Sequence, residues 1–405
     1  MVRHNYGMHS RRSVFSVLAV AVSLAFAAPA AAQVAVSTLA PPDYFSLGDR
    51  ESGLPADVWT GTSPALLRDS LPRIGRKPLS PAASVFAGWV LGAGVAGPEG
   101  AGRDPDVAAA RVQALLALGQ SRTAWAAVER APNVTTNAAL AQAAAEAALV
   151  GSQDDAACRI SDQLTVNRGE LYWLRLRAFC QAVAGQADAA QLTFTLAGER
   201  AKDPVYARLM GALLAGAGDP GAASLRNGLE YALSRRLALD LQAAKATASP
   251  AVAADLWPGS PAPDTEEATV ARSLIASATT TPALFDTLLD EADAATPKAR
   301  PVLVGRILLL EAMGGQPGPE ARARLAKADV GRSAASPALL LALDRAAGLG
   351  LKGETAVAVM LIASDAGPAG SGALDRARIV AALRKVGLNG AAQAFAVEGL
   401  LVPVK

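Results

Sequence analysis

The sequence predicts an all-α protein assembled from antiparallel helix pairs. Three observations carry this. First, 94 of the 405 residues are Ala while aromatics make up only 4%; Ala is the best helix former and a poor strand former. Second, single glycines punctuate Ala/Leu-rich segments at spacings of 32, 34 and 33 residues: Gly119, Gly151, Gly185 and Gly218. A period of 20–50 residues marks stacked repeats. Third, no stretch of residues 107–400 alternates with period two long enough for a strand. With 51% hydrophobic and 18% charged residues the chain is not a disordered one.

The amino terminus reads as a secretory leader, residues 1–32. Arg3, Arg11 and Arg12 precede an apolar run from Val14 to Ala28, which ends in Pro29-Ala30-Ala31-Ala32-Gln33. A basic region, a short apolar region and an A-x-A site predict cleavage between Ala32 and Gln33. The run is short for a bilayer span, so no stable membrane span is expected after cleavage. Ser10-Arg11-Arg12 leaves general and twin-arginine export both open. The leader carries three Arg and no acid, so its removal takes the formal net charge from +2 to −1. A near-neutral chain lacks the basic face that nucleic acid needs.

Residues 33–106 read as an irregular Pro/Gly-rich lead with short helices. Ser63 to Leu71 is one of these, and the apolar stretch 82–97 between Pro81 and Pro98 is a buried helix. Residues 107–247 form the first helical array. Five residues after the first three periodic glycines stand Ala124, Ala156 and Ala190; nine after stand Val128, Ile160 and Phe194. Gly ends one helix in the left-handed conformation, the small residue admits the partner helix, and the larger one fills the space between pairs. The segment from Gly169 to Arg200 places aromatic and Leu residues in one helix, then G-x-x-x-x-A, then Phe and Ala in the next. It resembles a tetratricopeptide repeat. The resemblance covers residues 107–230 and, more weakly, 340–400, with the first helix offset by one residue from the family spacing. It implies a right-handed superhelix whose concave groove binds peptides or proteins.

Residues 248–264, rich in Pro, read as a linker or irregular turn. A second array follows at 265–405, with helices at Thr265–Ala278, Thr281–Ala294 and Pro301–Met313. Asp264 is the expected cap of the first. Gly353 and Gly387 restore the period, with Ala358 and Ala392 five residues on.

Much chemistry is excluded. The only histidines, His4 and His9, leave with the leader, and with them go His-based nucleophilic catalysis and His-ligated metals. Two Cys cannot build a four-Cys metal site alone, and there is no G-x-x-x-x-G-K-[ST] loop. No catalytic residue, metal site or cofactor is expected. Carboxylate chemistry survives; Glu51-Ser52 resembles the Glu-Ser pair of lytic transglycosylases, but nothing beyond the pair matches. Cys158 and Cys180 are either a disulfide or two buried thiols. Counted from a turn near residues 165–168, their axial mismatch is roughly 8 Å, above the usual limit of about 7 Å. In the repeat analogy Arg175 and Arg208 take matching positions, and Tyr172 and Phe179 flank Arg175, giving either a peptide anchor or core aromatics with surface arginines. The expectation is a non-catalytic periplasmic or cell-envelope scaffold or assembly factor, with a protein or peptide partner in a surface appendage or export machinery. A carboxylate-dependent enzyme acting on peptidoglycan or polysaccharide and a structural envelope protein are the alternatives.

Overall fold

The computed structural model describes residues 43–258, 265–330 and 333–404. The expected leader, the Ala32–Gln33 junction and Asp264 lie outside the described residues. Among the described residues the regular elements are all helical, and one isolated parallel bridge joins Asp49 to Ala93.

The described part of the lead is built around two short helices. It holds α1 (Pro64–Ser70) and α2 (Pro81–Gly92), with single 3-10 turns at Tyr44–Leu47 and Leu71–Arg73. It also supplies core: Phe45 meets Trp59 edge-on at 5.5 Å between ring centroids, and both are buried along with Leu67, Leu71 and Leu91. The prolines that suggest irregular chain are helix starters. Pro64 and Pro81 occupy first turns, as do Pro105, Pro204, Pro250, Pro319 and Pro337 further on. The first-turn N–H has no helical partner, so its loss costs nothing, and proline's fixed φ suits the helix.

The next helices run α3 (Pro105–Ala117), α4 (Ser121–Ala126), α5 (Ala138–Val150), α6 (Asp154–Gln163), α7 (Leu171–Val183), α8 (Ala187–Arg200), α9 (Pro204–Ala215) and α10 (Gly228–Arg236). Three tight hairpins, α3/α4, α5/α6 and α7/α8, turn at the periodic glycines. Gly119 and Gly185 are left-handed, with φ of 74° each. At Gly151 the burden passes one residue on, to Ser152 at φ 61°. The small residues Ala124, Ala156 and Ala190 are all buried. The period fails after α9. Gly218 lies in a loop, and the next helix waits for Asn227, whose side chain accepts from Glu230 N. That helix, α10, packs back on α5.

The described part of the 248–264 segment, up to Pro258, carries a helix. Ser249 Oγ accepts from Val252 N and starts α11 (Pro250–Leu256), which packs on α3 and α5. Gly119 permits this approach: a Cβ there would lie 2.5 Å from Ala254 Cβ. Then come α12 (Glu266–Thr280), α13 (Ala283–Ala294), α14 (Arg300–Ala312), α15 (Pro319–Leu325), α16 (Pro337–Gly348), α17 (Lys352–Ala366), α18 (Ala373–Lys385) and α19 (Asn389–Leu400). Thr265 caps α12, its hydroxyl accepting from Ala268 N at 3.2 Å. The left-handed glycine before α17 is Gly350, not Gly353; Gly353 lies inside α17, where a Cβ would sit 2.7 Å from the Trp59 ring.

The carboxy-terminal helices close around the lead. α17 is buried along most of its length and touches α1 and α2. Lys352 pairs with Asp57 at 2.6 Å, and Glu398 accepts from Ala82 N at the start of α2 at 2.7 Å. The described residues belong to one contact unit spanning Pro41–Lys405. Buried within it is Arg111 on α3, 2% exposed. Its guanidinium donates to the carbonyls of Leu91 (2.6 Å), Tyr44 (3.0 Å) and Ala93 (2.8 Å) and lies 4.7 Å from the Phe45 ring centroid. Burial pulls its pKa down to about 10, with the Asp43 charge opposing that shift.

Candidate functional site

A groove of about 700 Å3 is floored by the end of α3. One wall is the segment from Lys77 to Leu79 with the first turns of α2; the other runs from Lys245 along α11 to Pro258. The wall positions follow from the local sequence. Ser-Pro steps start both bordering helices, at Ser80-Pro81 and Ser249-Pro250. Gly119, in the left-handed turn, lets α11 lie against the floor without a side chain between them. The lining is mainly apolar, with Leu79, Val85, Ala248, Ala253, Ala254, the Trp257 indole and prolines 78, 81, 250 and 258; Ser84 and Gln120 are its uncharged polar side chains. Val85 is 57% exposed. Two cations line the groove, Lys77 and Lys245, and no carboxylate does. The Lys245 ammonium stands 5.1 Å from the Trp257 ring centroid. Such a surface can bind apolar side chains and a nearby anion; it presents no acid–base pair.

A smaller cleft of about 380 Å3 adjoins it, sharing Ala117 and Pro250. Glu146 of α5 borders this cleft. Its Oε2 accepts from Gly228 N at the start of α10, at 2.8 Å. Burial pushes the Glu146 carboxyl pKa up, and the nearby Glu230 charge adds to that. The Tyr172 hydroxyl lies beside this carboxyl without a well-formed hydrogen bond and is itself pushed well up by burial. A carboxyl with a raised folded-state pKa is protonated more readily in the fold than in the free chain. Its ionisation therefore removes stability as pH rises from the unfolded value, about 4.3, through the folded one. Glu146→Gln cannot ionise and keeps an oxygen for Gly228 N. We expect its melting temperature to equal or exceed that of the wild type at pH 8, with the difference narrowing toward pH 5. Thermal unfolding followed by circular dichroism at the two pH values checks this; a variant less stable at pH 8 contradicts it.

The residues expected to form a peptide anchor do not make a surface patch. Phe179 is fully buried. Arg175 pairs with Asp203 at 3.2 Å and lies 4.9 Å from the Tyr206 ring centroid. Asp203 is in turn held by Arg226, which also grips Glu230, so these side chains bolt α7 to α9 and α10. Arg208 donates to Ala222 O at 2.7 Å and shapes the loop before α10. Tyr172 packs edge-on against Trp173. Helix α7 buries Trp173 and Phe179, Arg175 carries its charge to Asp203, and Arg177 donates to Arg168 O in the loop before α7.

Cys158 on α6 and Cys180 on α7 form a disulfide with their Cα atoms 5.5 Å apart. Counting residues from a central turn overestimates the offset. The connection from Leu164 to Glu170 is not helical and advances along the helix axis by itself, so unequal counts reach equal height. Glu51 sits exposed in a turn, its N–H donating to Asp49 Oδ1 at 2.9 Å. Among the described residues no three His, Cys, Asp or Glu side chains converge as a metal site, and no helix is long and apolar enough to cross a membrane.

No family model, curated protein or solved structure matches this chain.

Proposed function

We propose that this chain is a non-catalytic scaffold or assembly factor of the bacterial cell envelope, exported behind a cleaved leader, and that it binds a protein or peptide segment in the groove between α2 and α11. The groove carries the reading. It is long, apolar and walled by prolines whose φ is fixed, so little ordering entropy is lost on binding. Trp257 offers a broad face of the kind that dominates interface energetics. The hairpins α3/α4, α5/α6, α7/α8, α16/α17 and α18/α19 support the finer view of degenerate tetratricopeptide-like repeats. Contact of α16 with both α17 and α18 is the packing that successive repeats make. The Cys158–Cys180 bond supports an oxidising compartment such as the periplasm.

The test is selection of 12-residue peptides from a random display library on the folded chain. Selected peptides are expected to compete with one another and to bind Trp257→Ala at least ~10-fold more weakly, the scale of a lost interface anchor. A second variant, Val85→Asp, changes an exposed side chain and is expected to weaken the same peptides while melting like the wild type. Absence of enriched peptides, or peptides indifferent to both variants, contradicts the proposal.

A further inference from the structure

The charges around the groove are arranged unlike those elsewhere on the chain. Away from it, basic side chains commonly meet acids. Arg68 meets Asp104 at 2.6 Å, Arg235 and Arg236 both hold Asp154, Arg324 spans Asp290 and Asp293, and Lys352 holds Asp57. Lys77 and Lys245 stand on opposite walls of the groove, both exposed, and neither has an ion-pair partner among the described residues. The lining holds no carboxylate to neutralise them. Arg76 precedes that segment, on the side of the smaller cleft, and donates its Nε–H to Pro72 O at 2.8 Å. The Lys245 ammonium lies over the Trp257 ring, 5.1 Å from its centroid.

We infer that the groove selects extended peptide segments in which acidic residues flank an apolar stretch. This rests on the proposed peptide-binding reading and names the ligand's chemistry. The apolar stretch covers Val85, Ala254 and Trp257, and carboxylates reach Lys77 and Lys245 on the two walls. A cation stacked on an aromatic face can bind a carboxylate on its open side, so Lys245 serves ring and ligand together. The concave apolar lining favours a peptide over a flat anionic lipid surface.

Three synthetic 12-residue peptides test this, built on one Val-Pro core and flanked by Asp, by Asn or by Lys. Titration calorimetry is run on the full-length folded chain at 50 and 300 mM salt. The Asp peptide is expected to bind about 5–10-fold more tightly than the Asn peptide at low salt, with the advantage shrinking at high salt. In the double variant Lys77→Gln/Lys245→Gln the ratio of Asp-peptide to Asn-peptide affinity is expected to fall to about one. Both lysines are exposed, so the variant keeps the fold. Equal binding of Asp and Asn peptides overturns the charge inference and leaves the groove reading standing. Loss of all three peptides on Trp257→Ala is expected; failure of all three on the wild type overturns the inference, and the library selection then decides the groove reading separately. Lysine-dependent cosedimentation with phosphatidylglycerol vesicles that the Asp peptide does not displace also overturns it.

Discussion

Arg111→Met is expected to lower the stability of the chain by roughly 3–5 kcal/mol, the cost of removing one side of a buried polar cluster. The methionine fills similar volume but leaves three backbone carbonyls, those of Tyr44, Leu91 and Ala93, without their donors. These carbonyls belong to the lead and to the end of α2, so the loss falls on the joint between the lead and α3. The carboxy-terminal helices feel it as well, because α17 packs on α1 and α2. Arg111→Lys retains the charge but not the three-way fork and is expected to lose less. Chemical denaturation of the two variants checks the order: wild type, then Lys, then Met. A Met variant within 1 kcal/mol of wild type, on the scale of an ordinary surface change, contradicts the role assigned to Arg111.

Reduction of the Cys158–Cys180 bond is expected to cost about 3 kcal/mol, from the loop entropy returned to the unfolded chain across a separation of 22 residues. The melting temperature then falls by several degrees in reductant. The double variant Cys158→Ser/Cys180→Ser is expected to melt at the lowered temperature and to ignore reductant. A wild-type chain whose melting is unchanged by reductant contradicts the stabilising role of the bond.

The helical class was legible because it rests on composition summed over long windows, and the hairpins were legible where one residue had to carry a left-handed turn. Gly119, Gly185 and Gly387 do so directly. Where a second residue could take the strain the glycine misled: Ser152 turns the chain beside Gly151, and Gly350 does so before α17. The helix at Pro250–Leu256 was hidden in a stretch that reads as linker or irregular turn, for a single reason. Proline both ends and begins helices, and the discriminating signal is the residue before it: Ser63, Ser80 and Ser249 each precede a first-turn proline. The same signal that stands before α1 and α2, both legible in the sequence, marks the start of α11, the groove's other border.

Arg111 could not. In VAAARVQALL it looks like one charged residue on a helix surface, and its partners are backbone carbonyls 18 to 67 residues away. Tyr172, Arg175, Phe179 and Arg208 were a reasonable anchor on a helix wheel. Their fate was decided by α9 and α10, whose Asp203, Arg226 and Glu230 draw the charges inward. The lysines of the groove, Lys77 and Lys245, gain meaning only when the fold sets them across one cleft.

Photo-crosslinking tests the central claim most directly. A benzoyl-phenylalanine is placed at Val85, inside the groove, or at Leu192 on α8, which is 74% exposed and far from it in sequence. Each labelled chain is irradiated with a peptide selected on the wild type. The groove account predicts a crosslinked product from position 85, suppressed by excess unlabelled peptide, and none above background from position 192. Equal products from both positions, or a product from 192 alone, would contradict it.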